Sequence, residues 1–472
     1  MSDLLIKLFF SRALAIILMI APQIQAAQPP GSDYTAQVAA AIVDFNFRDI
    51  PPEILNTADT LIADSLAVTV GAHHIALLNQ LESILEVDGG ESLILHSGHR
   101  GSLLEAVYLN ALAANMLDFD DSHIETGHPG ASIIQPALVL AEKHGKSREE
   151  LVEAIVAGYE FNIRWARAAF NFPDKFSGPW SSSLLQAYGT TVMASKLLDL
   201  DESQIRRALF FMAANMPLPV NQKVGILPGQ TLSSLKNNYG YAAQGAVLAV
   251  LTALTDAQAE ETVLDGDQGL WRMMAVPQFN PEYLLADLGQ TWEIEQVQLK
   301  PYAACRYMHS ALDALLSIQR QMGENDIAAI EVHTYEMAYN ALSNADPKNL
   351  LQLQFSLPQI FGMALMGESL IDIRESDINN TAAREIAKKV SLYRDARYQE
   401  LFKKNMLPAR VVVKLKNGEE ISEEVLVAKG ESSNPMTDQE HQHKVSELIA
   451  SSPHATVREY AYRIISAEEP ES

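Results

Sequence analysis

For its first 290 residues the chain spaces its apolar residues as helices do, and nowhere alternates them as a half-buried strand would. Ile54, Ala58, Leu61, Ile62 and Leu66 share one face of a helix opened by Pro51-Pro52-Glu53. Leu103, Leu104, Val107, Ala111, Leu112 and Met116 form a second such face. Ile133, Ile134, Ala137, Leu138 and Ala141 form a third, with Pro129 at the first helical position. The same spacing predicts helices over 34–47, 77–85, 147–169, 181–198, 202–214 and 242–254. The helix at 147 begins with a Ser147-Arg148-Glu149-Glu150 capping box, and its Arg164 and Arg167 are expected in solvent. His73 and His74 read as surface or cap residues. Near Trp292 the pattern changes. Residues 295–299 and 327–335 alternate, and 410–427 reads as a hairpin about Asn417-Gly418. Helices at 309–322 and 359–366 lie between these strands, and 439–451 and 456–467 are helical again. The expected fold is mainly α, with an α+β domain set into a helical protein.

One connection between two core helices is unusually polar. Residues 118–128, Asp-Phe-Asp-Asp-Ser-His-Ile-Glu-Thr-Gly-His, hold three aspartates, two histidines and Ser122 between segments that read as buried. Burying so many polar groups is costly unless each finds a partner or a use. Capping and turn formation is one use, and a metal site is another, since Asp and His at this spacing can ligate Zn, Mn or Fe. A third use is acid/base chemistry, with His128 just ahead of a helix N-terminus that favours a neutral imidazole facing an anion.

Composition narrows the partners. With 35 basic and 59 acidic side chains the formal charge is −24, which argues against nucleic-acid binding and against attraction to anionic lipid. An anionic substrate would need local Lys, Arg or helix N-termini to offset that field. A single cysteine, Cys305, excludes an internal disulfide. At the N-terminus Lys7 and Arg12 precede the apolar run 13–22, and Ile24-Gln25-Ala26 offers a small-residue cleavage point. Residues 1–26 therefore read as a signal peptide, giving a periplasmic or secreted protein with no stable membrane span after processing. A misassigned start would instead leave the protein in the cytoplasm.

The string DFDDSHIETGHPGASIIQPAL at 118–138 resembles the signature of the MmgE/PrpD family. Lys300-Pro301-Tyr302-Ala303-Ala304-Cys305-Arg306-Tyr307-Met308-His309-Ser310-Ala311 is similar to the family's other recurrent motif. Gln354-Phe355-Ser356-Leu357-Pro358 and the stretch from Gly430 through Asn434-Pro435-Met436 follow in the expected order. The resemblance implies a large helical domain at 27–290, an α+β lid at 291–430, and helices at 431–472 that return to the first domain. It also implies catalysis without metal or cofactor, a homodimer, and a site in the cleft beneath the lid. Members are 2-methylcitrate dehydratases, cis-aconitate decarboxylases and cofactor-independent epimerases.

Carried residue by residue, the resemblance makes Asp118 and His128 acid/base candidates and Ser122 a hydrogen-bond donor. Lys236 resembles the family's substrate-binding lysine and joins them in the catalytic set. Arg306 is expected to clamp a carboxylate through its planar fork, with Cys305 and His309 beside it. Trp180 and Gln359 stand where cis-aconitate decarboxylases have a second histidine and a tyrosine, which puts decarboxylation and methylcitrate dehydration in doubt. The expected activity is a metal-independent lyase, a hydro-lyase first, on a small di- or tricarboxylate. A cofactor-free epimerase, a decarboxylase and an exported carboxylate-binding protein without activity are the alternatives.

Overall fold

The structure, a computed structural model, describes residues 33–171, 182–215, 235, 237–274, 276, 278–322 and 327–466. The predicted signal peptide, Trp180 and Lys236 lie outside the described residues.

The helical part is built around Pro129–His144, whose residues 129 to 141 are all buried. A helix enclosed on every side must find partners for its polar side chains internally, and the Gln135 amide N–H donates to the Ser65 hydroxyl at 2.8 Å. Leu103–Met116, Arg148–Phe170, Ser182–Leu197 and Tyr239–Ala253 pack around it. The expected capping box at Ser147 forms, and the structure adds a second of the same Ser-x-x-Glu type at Ser102. Asp438–Ser451 and Ala455–Ser466 return to pack on Pro52–Gly71, so both ends of the described chain belong to the helical part. Among the described residues no single helix is long and apolar enough to cross a membrane.

Between them lies the α+β part. Its sheet has the order β4-β3-β5-β6, from β3 (Ile327–Thr334), β4 (Val390–Arg394), β5 (Ala409–Leu415) and β6 (Glu420–Val425). β3 and β4 are parallel, and the other pairs antiparallel. His309–Met322 covers β5 and β6, facing Val411 and Val413 with its own apolar side. The apolar core is continuous across both parts; Phe45 meets Trp292 edge to face at 6.1 Å.

Several expectations are corrected. Residues 295–299 form no strand: Glu293–Gln296 is a 3-10 turn, and only Gln298 makes a single bridge. The cause is the buried pair Glu160 and Arg164 on the long helix. Glu160 accepts Ile294 N–H at 2.9 Å, and Arg164 donates to the carbonyls of Thr291, at 2.8 Å, and Ala286. Arg164 is thus a buried clip on the connecting segment, not a solvated side chain. The first 290 residues do contain a short antiparallel pair, β1 (Ser92–Leu93) with β2 (Arg100–Gly101). β4 went unpredicted because it is a short edge strand with mostly exposed or half-buried side chains. His73 and His74 are half-buried in a 3-10 turn, where His74 Nδ1 meets the Gly71 carbonyl oxygen at 3.0 Å.

Candidate active site

The polar connection leaves its helix through Asp118, whose φ of 46° lies in the left-handed region. A non-glycine residue stays there only when its surroundings hold it, and Asp is among the more tolerant types. The hold is Lys300, fully buried, which donates to the Asp118 carbonyl oxygen at 2.6 Å and to Oδ1 at 3.0 Å. A second buried lysine, Lys444 on the returning C-terminal helix, donates to the carbonyls of Phe119 at 2.9 Å and Lys300 at 3.1 Å. Its ammonium also pairs with Asp64 at 2.7 Å and lies 3.9 Å from the Phe119 ring centroid. Two lysines from distant segments thus fix consecutive peptides of the connection.

The following residues fix His128. Asp120 accepts from the Asn115 side-chain amide at 3.0 Å, and Asp121 accepts from Gly130 N–H at 2.9 Å and the Tyr159 hydroxyl at 2.7 Å. Burial, and then the charge of Asp120, push the Asp121 carboxyl up to about 7. A Cβ on Gly130 would lie 2.7 Å from both Asp121 Oδ1 and the Tyr159 hydroxyl, so this helix start has no room for a side chain. Gly127, at φ +91°, closes a tight loop in which it exchanges backbone hydrogen bonds with His123 at 2.7 and 2.8 Å. His128 Nδ1 is 3.1 Å from the Asp121 carbonyl oxygen and 3.3 Å from Asp120 Oδ1. Both neighbours are acceptors in this geometry, so Nδ1 carries the proton. Nε2 is then the nitrogen that exchanges protons in a neutral ring, and it lies 3.7 Å from Asp118 Oδ1. The helix N-terminus behind His128 is met at Gly130 by the Asp121 carboxyl, where the sequence led us to expect a bound anion.

The opposite wall comes from the α+β part. Gln298 and Ser122 pair their backbones at 2.8 Å in both directions, and the two segments are stitched at this point. Arg306 Nε donates to Gln298 Oε1 at 3.1 Å, and Nη1 donates to the Lys429 carbonyl at 3.0 Å. Nη1 also donates to His309 Nδ1 at 3.2 Å, whose Nε2 donates to the Ala304 carbonyl at 3.0 Å. Burial, then Arg306 and Lys300, hold His309 well below the usual histidine range, so it is a neutral acceptor that orients Arg306.

Between the walls lies a cavity lined by Asp118, Ser122, His123 and His128 on one side and Cys305, Arg306 and Tyr307 on the other. Ile124, Phe355 and Leu407 make it partly apolar. The structure therefore brings together five of the nine predicted site residues: Asp118, Ser122, His128, Cys305 and Arg306. His309 stands behind Arg306. Gln359 is buried elsewhere, its amide 3.4 Å from the Asp377 carbonyl oxygen, and is no part of the cavity wall. Lys236 and Trp180 fall outside the described residues, though Asn237 and Ser182 beside them line the cavity. Sequence reasoning missed Lys300, Lys444, the Asp121–Tyr159 pair and Tyr307. Lys300 and Tyr307 sat inside a recognised motif, where a lysine at the start of an apolar stretch was the available signal; Lys444 offered none.

Asp118, Asp120 and His128 present ligand atoms within 4.8 Å of one another, a set able to hold a metal ion. The Lys300 ammonium on Asp118 works against it, because a divalent cation there would meet a buried positive charge 3.0 Å from the same oxygen.

Comparison with known proteins matches nearly the whole chain. The MmgE/PrpD N-terminal domain matches residues 36–282 and the MmgE/PrpD C-terminal domain residues 302–467. A cis-aconitate decarboxylase of Aspergillus terreus is 24% identical over 452 residues, covering 89% of this chain and 90% of that protein. The human cis-aconitate decarboxylase is 23% identical over 404 residues, covering 82% of this chain and 80% of its own. The cis-aconitate decarboxylase-like protein oryM of Aspergillus oryzae is 23% identical, covering 89% and 92%. With both domains matched in order along the chain, the protein belongs to the MmgE/PrpD family.

Proposed function

We propose that the protein is a lyase working at the carbon next to a carboxylate of a small di- or tricarboxylate, without a metal ion. The observation that carries this reading is His128: its Nδ1 proton is committed to the Asp121 carbonyl, and its Nε2 faces a cavity with Arg306 on the far wall. A carbon acid beside a carboxylate is hard to deprotonate because the charge develops next to one already present. Nε2 takes that proton, Asp118 and Asp120 stabilise the imidazolium that results, and the Arg306 charge offsets the charge developing on the substrate. Ser122 supplies a hydroxyl on the His128 side.

In its finer form the reading is elimination of water, the proton that His128 has taken being returned to the departing hydroxyl so that it leaves as water. The similar proteins are named for decarboxylation, but Trp180 and Gln359 replace two proton-handling groups of those enzymes, and Gln359 is turned away from the cavity. The test is incubation with citrate, 2-methylcitrate and cis-aconitate in deuterated buffer, followed by mass spectrometry. Loss of water supports the hydro-lyase, loss of carbon dioxide the decarboxylase, and deuterium uptake without other change an epimerase. His128→Ala should lower whichever turnover is seen by roughly 10²–10⁴-fold, the usual contribution of a general acid or base. Tight binding without turnover or exchange would overturn the enzymatic reading.

A further inference from the structure

We infer that the Tyr307 hydroxyl is the hydrogen-bond donor to the reacting carboxylate on the α+β side of the cavity. The inference rests on the proposed chemistry and adds a residue to it.

When Nε2 of His128 removes the proton from the carbon, the C–H electron pair moves into the adjacent carboxylate, giving an enediolate with two negatively charged oxygens. Nothing leaves in this step, and the charge must be met where it appears. Arg306 is near but largely committed. Its Nε serves Gln298, its Nη1 serves Lys429 and His309, and Nη2 is sealed from solvent 3.4 Å from Glu431. Among its nitrogens only Nη2 makes no hydrogen bond to a described residue, and it lies against the Glu431 carboxylate, so Arg306 supplies mainly charge.

Tyr307 sits on the same 3-10 turn, Arg306–Met308, and lines the cavity. Its side chain is only partly buried, and its hydroxyl makes no hydrogen bond to any described residue. By contrast Tyr335, the ring beside it, is wholly buried. The Tyr307 ring is held edge to face against Tyr335 at 6.0 Å, and Tyr335 is stacked on Phe402 at 4.4 Å. The donor is therefore rigidly backed, as electrostatic preorganisation requires. Burial, then the neighbouring Cys305 and Asp118, push the phenol up, so it stays protonated through the working pH range and donates without giving its proton away. Those two neighbours are themselves walls of the cavity.

The test uses the nitronate of nitropropionate, whose planar end with negative charge on two oxygens imitates an enediolate, and succinate, which imitates the ground state. Calorimetric titration of both ligands is compared in the wild-type protein and in Tyr307→Phe, which keeps the ring packing. The wild type should bind the nitronate more tightly than succinate by about 10²-fold or more, as expected of an intermediate analogue. Tyr307→Phe should reduce that preference by roughly 10-fold or more, the loss of a hydrogen bond to a charged group, with succinate binding weakened far less than nitronate binding. An unaltered preference in the variant overturns the role of Tyr307 and leaves the proposed reaction standing. Absence of any preference in the wild type, or of binding by either ligand, overturns the reaction itself and this inference with it.

Discussion

Lys300 donates to Asp118 twice, to its backbone carbonyl oxygen at 2.6 Å and to its carboxylate at 3.0 Å, and both residues are almost wholly buried. A buried pair gains little over an apolar replacement, but breaking it strands a charge. Lys300→Met should therefore destabilise the fold by about 3–5 kcal/mol, read as a lower midpoint in urea. The Lys300→Met, Asp118→Asn double variant should recover part of that loss, because the stranded carboxylate is gone. Equal midpoints for wild type and Lys300→Met would show that the pair holds neither Asp118 nor its backbone conformation.

Asp121 gives a pH dependence with a definite sign. Its carboxyl titrates near 3.8 in an unfolded chain and is pushed up to about 7 in the folded protein. Between those values the folded state binds more protons than the unfolded one, so this group's stabilising contribution is full below the lower value and is lost as pH rises through the upper. Glu160, pushed up to about 7 by burial, acts in the same direction, while Glu82, lowered to about 2 by its histidine partners against desolvation, acts oppositely at lower pH. Asp121→Asn can keep both hydrogen bonds and has no charge to bury. Urea midpoints measured from pH 4 to pH 8 should fall less steeply in the variant than in wild type, and parallel curves would refute the assignment.

The helices were legible because their apolar residues recur at helical spacing, and the hairpin because Asn417-Gly418 separates two alternating runs. Gly418 adopts φ +93°, the conformation that such a turn needs. What stayed hidden depends on contacts between distant residues. Lys300 is 182 positions from Asp118, and Lys444 is 325 from Phe119, so no local pattern announces either as a clamp. The 295–299 segment alternates weakly, and its backbone was claimed by Glu160 and Arg164 on another helix. The site was legible where its residues are contiguous, from Asp118 to His128, and less so in Gln359, whose motif position said nothing of the direction its amide takes.

Metal independence is testable on the same cluster. Asp118, Asp120 and His128 have a metal-binding arrangement, yet Lys300 already neutralises Asp118. Turnover measured after exhaustive dialysis against EDTA should equal that of untreated protein. Loss of turnover that one divalent ion restores would assign these residues to a metal centre and displace Lys300 from its proposed structural role.

Arg306 offers the sharpest separation of charge from geometry. Lysine at this position would retain a positive charge, but its single ammonium cannot span Gln298, His309 and the Lys429 carbonyl, which Arg306 engages through Nε and Nη1. His309, neutral and fully buried, would lose the donor to its Nδ1, and a buried acceptor without a partner costs about 1–3 kcal/mol. Arg306→Lys should therefore lower stability modestly and raise KM, because the charge is kept but its placement beneath the cavity is not. If Arg306 also meets charge that develops only as the proton leaves, kcat should fall as well, and more in Arg306→Met, where the charge is gone. Steady-state kinetics of both variants on the carboxylate found by mass spectrometry separates these contributions. Wild-type KM and kcat in both would mean that the substrate carboxylate is held elsewhere, and that Arg306 serves only to join Gln298, His309 and the Lys429 backbone.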